Sequence, residues 1–210
     1  ELQQAGADAL ELNVYYIAAD PGISGEDVEQ RYLQLLGDLQ QHVSIPITMK
    51  LSSQFSSVAN MVLRLQQAGA DGVSLFNRFY QPDIDLETLR IKPQLELSTA
   101  TESLLRIRWI ALLRGRVDLS LAATGGFHDR DSIIKALLAG ADVTHLCSVL
   151  LQQGPACLAT LRQEMHDWLE ENEYESVSQL KGSVSRACAI NPAALEHSNY
   201  LDVIKSYGNS

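Results

Sequence analysis

The sequence predicts an α/β fold with parallel strands, on three observations. One phrase recurs: Leu2-Gln-Gln-Ala-Gly-Ala-Asp8, Leu65-Gln-Gln-Ala-Gly-Ala-Asp71 and Leu137-Leu-Ala-Gly-Ala-Asp142 each run from a helix end through Gly to Ala-Asp and on into an apolar run. A Gly just past the last helical residue ends a helix by taking the left-handed conformation that satisfies the final carbonyls, and the apolar runs that follow read as buried parallel strands. The phrases return at intervals of about 60 to 70 residues, the mark of a repeating β/α architecture. Finally, the stretch 119–150 holds one complete unit: an apolar strand at 119–123, the Gly125-Gly126 turn, a helix opened by Asp129, a Gly-Ala-Asp stop and a second apolar strand ending at Cys147-Ser148.

Taken in order, strands are expected at 9–15, 47–51, 72–77, 119–123 and 143–148, with helices at about 25–42, 57–68, 101–114, 129–139 and 155–171. The first helix rests on the spacing of Val28, Tyr32, Leu35, Leu36 and Leu39, which lines one helical face. Ser24-Gly-Glu-Asp and Thr101-Glu supply start signals. Arg90-Ile-Lys-Pro-Gln-Leu-Glu-Leu97 breaks the rhythm and reads as an extra strand or hairpin on a loop. Five strands cannot close an eight-stranded barrel. The simplest account is therefore the C-terminal part of a longer (β/α)8 TIM barrel, with residues 1–181 as barrel and 182–210 as a C-terminal tail. The alternative, an open doubly wound sheet, requires a switch in strand order.

Composition narrows the function. With 210 residues, 46% of them apolar and 20% charged, the chain can bury a sizeable core. A net charge of -10 with no local Lys/Arg cluster argues against nucleic acid as a partner. Cys147, Cys157 and Cys188 form neither an even framework nor a Cys-x-x-Cys pair, which points to a reducing, cytoplasmic setting and no structural metal. No apolar run approaches the roughly 18 residues of a membrane span.

The strand ends supply the candidate site. Asn13, Lys50, Asn77, Thr124-Gly125-Gly126 and Cys147-Ser148 close successive strands, and in a parallel barrel such ends converge on one face. Lys50 interrupts the otherwise apolar Ile-Thr-Met-Lys-Leu, where a buried ammonium is costly unless it meets an anion or an electron-rich ring. The bland alternative is a salt-bridged or snorkelling lysine. Gly125 and Gly126 leave their N–H groups unscreened and can seat a phosphate, with Ser148 adding a hydroxyl; otherwise they simply make a tight turn. Asn13 and Asn77 could be strand-terminating turn residues, His128 reads as a helix-entry residue, and Cys188 as an incidental thiol.

These residues carry a resemblance. The order Glu11-Leu-Asn13, Ile47-Thr-Met-Lys-Leu51, Phe76-Asn77, Ile91-Lys-Pro93, Ala123-Thr-Gly-Gly126, Cys147-Ser148 and Gly154-Pro155 resembles the C-terminal two thirds of the dihydroorotate dehydrogenase family. Asn13-Val-Tyr-Tyr-Ile17, Phe76-Asn-Arg-Phe-Tyr-Gln-Pro-Asp-Ile-Asp-Leu86 and Glu171-Asn-Glu-Tyr-Glu-Ser176 resemble more closely its dihydroorotate dehydrogenase-like branch. The resemblance runs from Glu1 to about Lys181. It implies an FMN-containing barrel that oxidises a CH-CH bond of dihydroorotate in pyrimidine biosynthesis, with hydride passing to flavin and electrons to a second acceptor, here unknown. It further implies Lys50 at the flavin's pyrimidine edge, Thr124, Gly125, Gly126, Cys147 and Ser148 around the FMN phosphate, Asn13 and Asn77 on the substrate's amide and carboxylate groups, and a homodimer as one assembly to expect.

The departures matter equally. After Asn13 the chain runs Val14-Tyr15-Tyr16-Ile17-Ala18, so the family's second loop Asn is replaced by Ala18 and the position of its catalytic base by Tyr16. A phenol titrates near ~10, so a basic Tyr16 needs a lowered pKa or a water relay. Arg78 stands where the family has a small residue and adds a cation able to grip a carboxylate. Three functions are thus open: an FMN oxidoreductase of dihydroorotate or a related dihydropyrimidine, a degenerate flavin- or phosphate-binding barrel without that turnover, and a barrel aldolase or isomerase using Lys50 as a Schiff-base nucleophile.

Overall fold

A computed structural model describes residues 1–188. Its strands are β1 (Leu10–Asn13), β2 (Ile47–Leu51), β3 (Gly72–Leu75), β4 (Asp83–Asp85), β5 (Arg90–Lys92), β6 (Ser120–Thr124) and β7 (Val143–His145). The helices are α1 (Gly25–Gln40), α2 (Val58–Gln67), α3 (Ser103–Leu113), α4 (Arg130–Ala139), α5 (Ser148–Gln153), α6 (Cys157–Glu171) and α7 (Val177–Leu180). Five strands form one sheet in the order β1-β2-β3-β6-β7, every neighbouring pair parallel. The order follows the chain without a reversal, so the doubly wound alternative, which needs one, is set aside.

The sheet is strongly curved. β1 and β7 are its two edges, separated in a flat sheet by four strand spacings, about 19 Å. Yet a Glu11 carboxylate oxygen on β1 lies 3.7 Å from His145 Nδ1 on β7. That closeness requires a rolled sheet with Glu11 and His145 on its concave face, a geometry compatible with part of a TIM barrel.

Alternation then sorts the side chains. On β2 the residues Ile47, Met49 and Leu51 are buried while Thr48 and Lys50 are half-buried. The convex face carries Met49, Leu51, Val73, Leu75, Leu121 and Ala123, in one apolar core with Leu36, Met61, Val62, Leu65, Ile110 and Leu113 from the helices. Strand register places Asn13 beside Lys50, and Lys50 beside Ser74. The concave face is consequently polar.

The recurring Gly-Ala-Asp phrase has a physical reason. Gly69 and Gly140 sit at φ 89° and 117°, the left-handed turn that ends α2 and α4. Two residues on, Asp71 Oδ2 accepts the Ile47 N–H at 2.8 Å and Asp142 Oδ2 accepts the Leu121 N–H at 2.8 Å. Each aspartate thus satisfies a backbone donor of the neighbouring strand segment. Asp142 also receives Arg114 at 2.7 Å and Lys181 at 2.7 Å. Burial acts to raise the Asp142 pKa, but the Leu121 N–H, Lys181 and Arg114 together outweigh it and hold the carboxyl below its ordinary value.

One strand boundary needs correction. The strand expected at 143–148 stops at His145, and Ser148 opens the short α5 instead. The 90–97 segment does carry the expected extra hairpin, with Arg90–Lys92 paired antiparallel to Asp83–Asp85 upstream. Residues 182–188 lie against the helices, with Gly182 and Val184 N–H donating to Leu137 and Leu138 carbonyls of α4 and Arg186 N–H to the Ala111 carbonyl of α3. The remainder of the expected tail, 189–210, lies outside the described residues. Among the described residues no helix is long and apolar enough to cross a membrane.

Candidate active site

At the C-terminal ends of the strands lies a cavity of about 240 Å³. Asn13, Lys50, Asn77, Arg78, Thr124, Gly125, Gly126, Cys147 and Ser148, drawn from five strand ends, all line it. Parallel strands in sequential order bring these ends together, which is why residues so far apart in sequence meet.

Lys50 is ion-paired: its Nζ lies 3.2 Å from Glu11 Oε1, and the other Glu11 oxygen faces His145. Glu11 precedes Asn13 by two positions on the same strand, so alternation places both on the concave face. Beside Lys50 in register, Ser74 is fully buried and among the described residues its hydroxyl has no hydrogen-bond partner. A buried hydroxyl without a partner is unusual in a folded interior.

Asn77 is buried and holds strand ends together: its side-chain amide donates to the Val14 carbonyl at 3.0 Å and its N–H to the Leu51 carbonyl at 2.7 Å. It follows a cis Leu75–Phe76 peptide. Arg78 is engaged by protein rather than left open. Its Nε lies 3.2 Å from Glu102 Oε2, and its guanidinium also donates to the Glu96 and Leu97 carbonyls. The expected grip on a substrate carboxylate therefore requires Arg78 to give up these partners. Its present work is to fasten the 94–98 segment to the entry of α3.

Tyr16 is not brought to the cavity. It lines a separate pocket with Tyr32 and Phe55, and the Arg31 guanidinium sits 4.2 Å above its ring. The expected base is therefore placed apart from the other expected site residues. Tyr15 lines the cavity instead, its ring against Phe79 and its hydroxyl accepting the Tyr80 N–H at 3.2 Å.

The turn after β6 is built for glycine. Gly125 and Gly126 have φ of 93° and 91°, a region unfavourable to other residues. A Cβ on Gly126 would lie 2.3 Å from the Ser103 nitrogen at the start of α3. Over this turn Ser98 Oγ accepts the Gly126 N–H at 3.3 Å, donates to Ser148 Oγ at 2.9 Å and meets His128 Nε2 at 3.0 Å. His128, expected as a helix-entry residue, is thus part of a hydroxyl network at the turn. Behind it lies Arg106, 6% exposed, with Nε donating to the Thr124 carbonyl at 3.1 Å and Nη1 to the Glu102 carbonyl at 2.8 Å. Burial pushes its pKa down, Glu102 opposes that and Arg78 adds to it.

Sequence reasoning missed Glu11, Tyr15, Ser98 and Arg106. Strand alternation would have found Glu11, and an arginine inside Leu-Leu-Arg-Ile-Arg-Trp-Ile was a visible oddity. Ser98 lies in an irregular segment and carried no signal.

No family model matches the chain. A dihydroorotate dehydrogenase B (NAD(+)) catalytic subunit from Shouchella clausii is 27% identical over 186 residues, covering 86% of this chain and 60% of the relative. Proteins of the same name from Geobacter sp. (strain M21) and Methanothermobacter thermautotrophicus are 28% and 22% identical, covering 86% and 84% of this chain and 60% of each relative. The chain spans 60% of the length of these curated relatives. Over 86% of its own length it is similar to the catalytic subunits of dihydroorotate dehydrogenase B, which bears out the resemblance its strand ends carry.

Proposed function

We propose that the cavity binds FMN and that the protein is an oxidoreductase acting on a CH-CH bond of dihydroorotate or a related dihydropyrimidine in pyrimidine biosynthesis. The observation that carries the reading is the convergence of Asn13, Lys50, Asn77, the Gly125-Gly126 turn and Ser148 on one cavity. The donor set fits the cofactor's chemistry: a glycine turn beside the Ser148 hydroxyl suits a phosphate, and a lysine suits an electron-rich ring. We take residues 1–181 as the C-terminal part of a TIM barrel, with 182–210 as its tail.

Bound FMN would supply the redox chemistry, as acceptor of the substrate's hydride. Gly125, Gly126, Thr124, Cys147 and Ser148 would hold its phosphate. Lys50, oriented by Glu11, places a positive charge where electron density builds up. Asn13 and Asn77 present amides to the substrate's amide and carboxylate groups. Tyr15, which faces the cavity, takes the place expected of Tyr16: its phenolate, or a water held by its hydroxyl, would receive the substrate proton. NAD(+), which the relatives' name contains, is the first electron acceptor to test. A cytoplasmic setting and a homodimer complete the reading.

The engagement of Arg78 by Glu102 and of Lys50 by Glu11 favours a second reading, a flavin- or phosphate-binding barrel without dihydroorotate turnover. One experiment separates them: record the visible absorption of the full-length protein, identify the released flavin, then add dihydroorotate without oxygen. Bleaching of bound FMN supports the first reading. FMN that stays oxidised leaves the second, and absence of flavin removes the first and the flavin-binding form of the second.

A further inference from the structure

Arg106 has no place in the chemistry above, yet it is the buried cation nearest the glycine turn in the packing. A Cβ built on Gly125 would lie 3.1 Å from Arg106 Nη2, so the guanidinium rests directly against the turn's backbone. Its charge is poorly balanced. Among the described residues, Glu102 is the carboxylate within 4.0 Å of the Arg106 guanidinium, at 3.7 Å, and it is shared with Arg78 at 3.2 Å. Two guanidinium groups against one carboxylate leave an excess of one positive charge behind the turn. The whole protein carries -10, so this local sign runs against the global one. Burying a cation with half a counter-ion is costly unless an anion completes the set.

We propose that Arg106 is the positioning and selecting charge of the Gly125-Gly126 turn, making it discriminate for a ligand that bears a phosphate, with Glu102 setting how strongly it does so. This rests on the reading of the cavity as a flavin site. Arg106 acts through the backbone: Nε holds the Thr124 carbonyl and so fixes the course of the turn, whose Gly126 N–H is held by Ser98 Oγ, and its charge adds to the turn's polarity at short range. Glu102 attenuates that charge and, by sharing it with Arg78, links the turn to the end of β3.

The test compares FMN with riboflavin, which lacks only the phosphate, on full-length protein freed of flavin. The measured quantity is the ratio of the two dissociation constants from quenching of flavin fluorescence. Arg106→Met should lower the preference for FMN about tenfold while riboflavin binding stays within about twofold. Arg106→Lys should retain part of the preference. Glu102→Gln, which keeps an oxygen for the Thr99 N–H now bound by the carboxylate at 3.0 Å, should raise the preference several-fold. Opposite signs for the two substitutions cannot come from a damaged fold, and thermal melts without flavin check that both variants are folded. An unchanged ratio in both, or an equal loss of FMN and riboflavin in Arg106→Met, overturns the assignment of Arg106 alone. Wild-type protein that takes up neither flavin overturns the flavin reading itself, and this proposal with it.

Discussion

The two ends of the same sheet are built on different principles. At the N-terminal ends, Gly-Ala-Asp repeats, and in two of the units its aspartate ties one strand to the next: Asp71 and Asp142 accept N–H groups of the neighbouring strands, and Asp142 is further held by Arg114 and Lys181. At the C-terminal ends nothing repeats. Lys50 relies on Glu11 from the next strand, Asn77 on the Val14 carbonyl 63 positions away, and Ser74 has no hydrogen-bond partner among the described residues. The difference shows how a β/α protein divides its labour, with one end spending its polar groups on architecture and the other keeping them for a ligand.

Substitutions can break that contrast in either direction. The largest effect is expected from Lys50→Met at the functional end: turnover should fall about 10²- to 10³-fold, while thermal stability changes by no more than about 1 kcal/mol because its pairing with Glu11 is partly exposed. Steady-state kinetics beside a melting curve would show it, and an equal loss of stability would erase the distinction. Gly126→Ala comes next. It combines a φ of 91° with a Cβ 2.3 Å from the Ser103 nitrogen, and should cost on the order of 3 kcal/mol in denaturant titration. At the architectural end, Asp142→Asn should cost about 2 kcal/mol with flavin binding unaffected. Because the folded-state pKa of Asp142 is depressed, its contribution is complete above the ordinary carboxylate range and is lost as pH falls through the lowered value. The stability gap between wild type and Asp142→Asn should therefore close in acid, and a gap that persists there would refute the ion-pair account. The smallest effect is expected from Tyr16→Phe, with turnover within about twofold of wild type. Tyr15→Phe should lower it by about 10²-fold or more if its hydroxyl takes the substrate proton.

The architectural end was the legible one. Gly-Ala-Asp announces itself because a left-handed glycine and a strand-capping aspartate are local devices, readable within three residues. Strand number, parallel direction and convergence of Lys50, Asn77 and the glycine pair followed from the same local signals. What stayed hidden depended on distance or direction. Which of Tyr15 and Tyr16 faces the cavity is set by the backbone course after β1, one residue apart in sequence. The commitment of Arg78 to Glu102 joins residues 24 positions apart across an irregular segment. Ser148 was expected to end a strand, but the backbone after His145 turns early into α5.

The most direct test of the division between the two ends is amide hydrogen exchange on the full-length protein with and without FMN. The account predicts that FMN slows exchange in 124–128 and 146–149, at the turn and at the start of α5, and leaves 69–71 and 140–142 unchanged. Protection at the Gly-Ala-Asp ends, or none at the glycine turn, would contradict it.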